Sequence, residues 1–126
     1  MIKAVDSILR QVYRNFEFII INDGSGYECT SILENYALKD DRIVLIHNNQ
    51  NIGLTKSLNI ALKNAKGKYV FRMDSDDYAN KMRIKRQVLF LEKHTDVDIL
   101  NAGVCIIGQD IRVIAMFMRL IGFYVF

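Results

Sequence analysis

A mostly parallel α/β sheet flanked by helices is the fold class this sequence predicts, and three observations carry it. Short apolar runs alternate with segments of helical periodicity. The runs at Phe16-Glu17-Phe18-Ile19-Ile20-Ile21 and Arg42-Ile43-Val44-Leu45-Ile46-His47 are nearly continuous in apolar residues, as strands covered on both faces are. Two of the runs stop on acidic, turn-forming residues, at Asn22-Asp23-Gly24-Ser25-Gly26 and at Asp74-Ser75-Asp76-Asp77. Strand–helix–strand units of this length imply right-handed crossovers, which bring the carboxyl ends of the strands to one rim.

The elements come in order along the chain. Val5, Ile8, Leu9 and Val12 recur at helical spacing, so residues 3 to 12 are expected to form a helix with no strand before it. The strand at 16–21 comes next, then a helix over about Tyr27 to Leu38, with Ile32, Leu33, Tyr36 and Ala37 on one side. After the strand at 42–47 comes the polar loop Asn48-Asn49-Gln50-Asn51-Ile52-Gly53. A helix from Leu54 to Asn64 is next, with Gly67 as its expected C-terminal cap. Lys68 to Met73 reads as a buried strand ending on the acids. A basic helix over about Asn80 to Lys93 succeeds it, and Val97 to Ile107 reads as one strand or two short ones.

Composition narrows the class. The 126 residues, 51% apolar and 25% charged, fit one globular domain. A net charge of +3, spread along the chain, gives no argument for nucleic acid. Cys29 and Cys105 lack metal-ligand spacing and read as free thiols of a reducing compartment. The opening residues do not have the pattern of a secretory signal. The chain has no proline, where about six would be average.

Three carboxylates in four positions do not pack for stability, because like charges repel and desolvation is costly. At the end of a strand they offer oxygen ligands to a hard cation, Mg²⁺ or Mn²⁺, which commonly carries a phosphate. The alternative is a plain acidic turn. His47 and His94 read as surface or capping residues rather than ligands. Lys81, Arg83, Lys85 and Arg86 form a basic cluster, read first as a solvated face and otherwise as a contact for a diphosphate or an anionic membrane. Arg72 is placed to pair with a neighbouring carboxylate.

Five stretches in order carry a resemblance. They are Asp6-Ser7-Ile8-Leu9-Arg10-Gln11, Asn15 through Ser25, Asn51-Ile52-Gly53, Ala65-Lys66-Gly67-Lys68-Tyr69 and Asp74-Ser75-Asp76-Asp77. Over roughly residues 3 to 102 the chain resembles the family 2 nucleotide-sugar glycosyltransferases, which have the GT-A fold. The resemblance implies that Asp23 contacts the uracil or ribose of the donor, and that Asn51 and Gly53 shape the loop beside the nucleotide. A loop or cap role without ligand contact stands beside that reading for Asn51. It also implies that Asp74-Ser75-Asp76 is the D-x-D motif, with Asp76 the direct metal ligand, Asp74 binding ribose or supporting the metal, and Asp77 behind them.

Such a protein is expected to transfer a sugar from a nucleotide donor, UDP-linked, to a glycan or lipid acceptor of the cell envelope. Inversion at the anomeric carbon, a divalent metal (Mg²⁺ or Mn²⁺), a cytoplasmic setting at the inner face of the membrane and bacterial origin are implied in the same way. The chain departs from the family in three places. The family's opening strand, with its Pro-Val-Tyr-Asn-like turn, is absent. No later carboxylate stands out as the catalytic base: the only acid after Asp98 is Asp110. The proline that comes after the family's D-x-D motif is replaced by Tyr78-Ala79-Asn80-Lys81.

The expected organisation is therefore a partial donor-binding domain over residues 1–110 and an apolar tail over 111–126. The tail reads as a truncated or frame-shifted end, an interfacial helix or core filler. Unpaired sheet edges predict that this tail, from the same chain or a second copy, covers exposed apolar surface in an oligomer. A non-catalytic nucleotide-sugar binder and an oligomerising α/β module are the alternative readings.

Overall fold

The computed structural model describes residues 1–103. Six elements succeed one another: α1 (Ile2–Leu9), β1 (Phe18–Asp23), α2 (Tyr27–Lys39), β2 (Ile43–Asn48), α3 (Leu54–Asn64) and α4 (Arg83–Lys93). The architecture is α/β, as predicted, with β1 and β2 paired in parallel from Phe18↔Ile43 to Asp23↔Asn48. The boundary expected near residue 110, the acid Asp110 and the tail lie outside the described residues.

Pairing alternate residues in register sorts the side chains onto two faces. Phe18 and Ile43 pack with Val5 and Ile8 of α1 and Leu33 of α2, with Ile20 and Leu45 beside them. On the opposite face Ile19 packs with Ala61 of α3, flanked by Ile21, Ile46 and Leu58. Both faces of each strand are covered, which explains why the two runs read as continuous rather than alternating.

α1 runs one turn shorter than its apolar periodicity suggested, and Gln11, just past its end, accounts for the difference. This residue is fully buried. Its Nε2 donates to Ser7 O at 3.0 Å and Asn80 O at 2.8 Å, while its Oε1 accepts from Ile84 N at 3.1 Å. Nearby, Ala79 N donates to Ser7 Oγ at 3.0 Å and Val12 N to Lys81 O at 2.9 Å. One side chain thus ties the end of α1 to the start of α4. Asn80, expected inside α4, stands before it instead: its Oδ1 accepts from Met82 N. Tyr36 of α2 donates to Asp6 Oδ1 at 2.7 Å, and that contact raises the phenol's pKa above its ordinary value.

Two expectations are corrected. Gly67 is not a left-handed cap, since the only glycines with positive φ among the described residues are Gly24 and Gly53. Instead Glu17 Oε1 accepts from Lys66 N at 2.6 Å and Gly67 N at 3.0 Å, so a carboxylate gathers the chain after α3. Lys68 to Met73 forms no strand among the described residues, nor does 97–103. A strand needs a neighbouring backbone about 4.8 Å away. Here a cavity of about 820 Å³, lined by Phe16 to Ile19 and by Ala65 to Phe71, occupies that position. The 68–69 stretch is held by side chains instead: Lys68 Nζ and Tyr69 OH both donate to Glu92 Oε1, at 2.9 and 3.0 Å.

Gln11→Ala is predicted to cost about 2–4 kcal/mol, because it empties buried volume and leaves Ile84 N and Asn80 O without their partner. Urea denaturation measures the loss, with the exposed Gln50→Ala as a control expected to stay within about 0.5 kcal/mol of the parent.

Candidate functional site

Parallel pairing brings Asp23 and Asn48 side by side at the carboxyl ends of β1 and β2. The Asp23 carboxylate is almost filled by the protein itself. Oδ1 accepts from Asn48 Nδ2 at 2.8 Å and from Ile52 N at 2.9 Å, and Oδ2 accepts from Gly53 N at 3.0 Å. The Ile52 amide, then the Asn48 side chain, hold its pKa below the ordinary carboxylate value. A carboxylate offers about four acceptor sites. Three are taken by these donors, and the Ser57 hydroxyl is a further, weaker partner of the same carboxylate.

The loop clamped in this way is shaped by two glycines. Gly24 has φ +73°, and a Cβ there would stand 2.6 Å from Asn51 N, so the backbones of the two loops touch. Gly53 has φ +86° and caps α3, and its N–H also reaches Asn51 Oδ1 at 3.1 Å. Asn48 Nδ2 extends the network to Ser57 Oγ of α3.

Beneath the Asp23 turn lies Asn22, 4% exposed. Its Oδ1 accepts from Ser25 N at 3.0 Å, which fixes the amide's orientation. Its Nδ2 therefore donates, to Thr30 Oγ1 at 2.9 Å and to His47 Nδ1 at 3.2 Å. His47 Nδ1 must accept, so the neutral ring carries its proton on Nε2. That exposed ring borders an open hollow of about 530 Å³, with Asn48, Asn49, Gln50 and Ile52. The structure thus gathers Asp23, Asn51 and Gly53, and adds Asn22, His47 and Asn48. From the sequence, His47 read as a surface or capping residue and Asn22 and Asn48 only as turn and loop residues; the signal that joins them is a polar residue at each strand end.

The Asp74–Asp77 stretch is an exposed turn, with Asp77 N donating to Asp74 O at 3.2 Å. Arg72 Nη2 meets Asp74 Oδ1 at 2.6 Å, the pairing expected of that arginine. Asp76 and Asp77 carry no side-chain partner among the described residues. No group of three or more His, Cys, Asp or Glu side chains that could hold a metal is found there either. Mg²⁺ ordinarily takes only one or two protein carboxylates, with phosphate oxygens and water completing its shell. The hard oxygen donors of Asp76 and Asp74 fit that pattern, Asp74 on release from Arg72.

Comparison with known proteins shows the family. A family model described as glycosyl transferase family 2 matches residues 1–123. The chain is 41% identical over 107 residues to an uncharacterised glycosyltransferase of Haemophilus influenzae, covering 85% of this chain and 33% of that protein. It is 38% identical over 108 residues to the putative glycosyltransferase EpsE of Bacillus subtilis, covering 85% and 39%. It is 42% identical over 89 residues to the UDP-Glc:alpha-D-GlcNAc-diphosphoundecaprenol beta-1,3-glucosyltransferase WfaP of Escherichia coli, covering 71% and 35%. The chain belongs to glycosyltransferase family 2, a family of sugar transferases. It spans roughly a third to two-fifths of the length of these relatives.

Two outcomes test the clamp. A carboxylate whose pKa is depressed by folding contributes stability that is full above its unfolded value, near 3.9, and is lost as pH falls through the lower folded value. Asp23→Asn is therefore predicted to melt below the parent at pH 7, with the gap narrowing as pH drops below about 4. Gly24→Ala is predicted to destabilise by about 1–3 kcal/mol, through its positive φ and the approach to Asn51. Thermal melts across pH check both.

Proposed function

We propose that this chain is the donor-binding portion of a glycosyltransferase that takes its sugar from a nucleotide diphosphate, UDP-linked, with a divalent metal assisting. The observation that carries the reading is the Asp23 clamp. At the carboxyl ends of a parallel pair, where ligands of such sheets bind, it holds a loop in place and presents an ionised carboxylate. The Asp23 carboxylate suits a ribose hydroxyl or the N3–H of uracil, taken in exchange for the weakly held Ser57 hydroxyl. The Asn51–Gly53 loop, fixed before ligand arrives, positions the nucleotide without further ordering cost.

Asp76, with Asp74 behind it, would hold Mg²⁺ or Mn²⁺ against the diphosphate. A metal in that place neutralises the charge that grows on the departing nucleotide. Arg72 shields Asp74 from its neighbouring acids until phosphate and metal enter. Inversion by in-line attack comes with the family reading, and no described residue is assigned as its base.

The relative WfaP, a UDP-Glc:alpha-D-GlcNAc-diphosphoundecaprenol glucosyltransferase, supports a UDP donor and a lipid diphosphate acceptor for this chain too, and we read cell-envelope glycan assembly as the setting. An acceptor of that kind lies at a membrane, and the inner, cytoplasmic face is the setting this reading expects. Lys85, Arg86 and Lys93 share an exposed face of α4 with Leu89 and Phe90, a charge pattern that an anionic lipid surface attracts. None of the described helices is long and apolar enough to cross a membrane.

Calorimetric titration of UDP with and without Mn²⁺ tests the reading. Saturable, metal-dependent binding is expected. Asp76→Ala should remove the metal-dependent part, weakening binding at least tenfold with little change in melting temperature. Binding indifferent to metal, or to Asp76→Ala, would overturn the ligand assignment.

A further inference from the structure

Met73 packs against the apolar cluster of α1, β1 and α2, while Arg72 and Asp74 on either side of it meet each other, Nη2 to Oδ1, at 2.6 Å. The main chain under this pair is held as well, since Arg72 O accepts from Arg83 Nη2 of α4 at 3.2 Å. An anchored backbone with two outward side chains lets partners change without a change of fold.

The pair is lightly held. Only Nη2 of the guanidinium is engaged among the described residues, and the Arg72 and Asp74 side chains are 28% and 53% exposed. Water screens an ion pair that open, so it exchanges readily. Arginine also presents its remaining donors as a planar fork that matches phosphate oxygens.

Asp74, Asp76 and Asp77 put three negative charges in four positions, and Arg72 is the cation paired with them. A nucleoside diphosphate is itself an anion, and such a turn repels it unless positive charge comes too. Part of that charge comes with a divalent cation held by Asp76 and Asp74. Arg72 supplies more of it on leaving Asp74, and it already stands at the same turn.

Resting on the donor-site reading above, we propose that Arg72 is a diphosphate-binding residue that competes with the cation for Asp74. In the empty site it occupies Asp74 Oδ1, and in the loaded site it passes to the phosphate oxygens of the donor. Cation alone leaves Arg72 without a partner, and diphosphate alone leaves Asp74 without one. Only the two together satisfy both side chains, so each ligand strengthens the binding of the other.

Calorimetry on the full chain tests this, with Mn²⁺ alone and with UDP in the presence of Mn²⁺. Arg72→Gln is expected to bind Mn²⁺ alone roughly threefold tighter than the parent, because Asp74 is free. The same variant should bind UDP in Mn²⁺ roughly tenfold more weakly, for want of a charge-assisted phosphate contact. A residue with a merely structural role would not move the two constants in opposite directions. Lys85→Gln, which removes an exposed cation of α4, should change neither by more than about twofold.

Equal Mn²⁺ affinity in the parent and Arg72→Gln would overturn the competition for Asp74, and equal or higher UDP affinity would overturn the phosphate contact. Should Arg72→Gln fail to fold, Arg72→Lys decides: it keeps the charge but loses the fork, so unchanged UDP affinity overturns the proposal. A parent that binds Mn²⁺ but no UDP sinks the donor-site reading and this exchange together. A parent that binds UDP through the metal, with constants that Arg72→Gln leaves in place, sinks the exchange alone.

Discussion

The parallel pairing of β1 with β2 is the constraint on which the rest of the described structure depends. Six residue pairs in register decide which side chains face α1 and α2 and which face α3. A slip of one residue would exchange those faces and expose both clusters. The same register sets Asp23 opposite Asn48 at the rim. The apolar core and the polar clamp are therefore products of one alignment, and neither is adjustable without the other.

The clamp gives an acid a structural task and, in the proposed reading, a binding task as well. Asp23 holds three protein donors, which keeps its carboxylate ionised and its loop in place. An aspartate so engaged is a rigid acceptor rather than a mobile one. Pre-organisation of this kind suits a site that must read one hydroxyl or N–H of a nucleotide. The acidic turn at Asp74–Asp77 is different in character: exposed, short and tied through Arg72 alone among its side-chain contacts. Its carboxylates lie open to solvent, where a diphosphate and its cation can reach them.

On the opposite flank, polar side chains add directional bonds to the apolar packing of Met73, Ala79 and Ile84. Gln11 joins α1 to the start of α4, Ser7 receives the amide of Ala79, and Glu92 receives Lys68 and Tyr69. These bonds keep the 68–84 stretch beside a sheet with which it shares no ladder. Side-chain bonds of this sort are directional and short in reach, so they position the acidic turn without building a strand beneath it.

Much of the fold was legible in the sequence. Helical and strand periods placed all six elements, and α3 at Leu54–Asn64 agrees to the residue. The acidic turns, the Asn51–Gly53 loop and the family were also readable, because turn chemistry and short motifs are local. The Lys68–Met73 strand was misread because six apolar-rich residues specify a tendency, whereas a strand exists only when another backbone stands beside it. Gly67 was misread because a glycine after a helix resembles a cap until Glu17, 50 residues away in sequence, takes its amide. The clamp itself, Gln11's burial and the tautomer of His47 arise from contacts between residues far apart in the chain. By itself the sequence determined periodicity, turn chemistry and kinship, each of which is set within a few residues. Tertiary structure alone decided which donors fill Asp23 and which carboxylate gathers the chain after α3, because hydrogen bonds act over about 3 Å and only folding brings such partners that close.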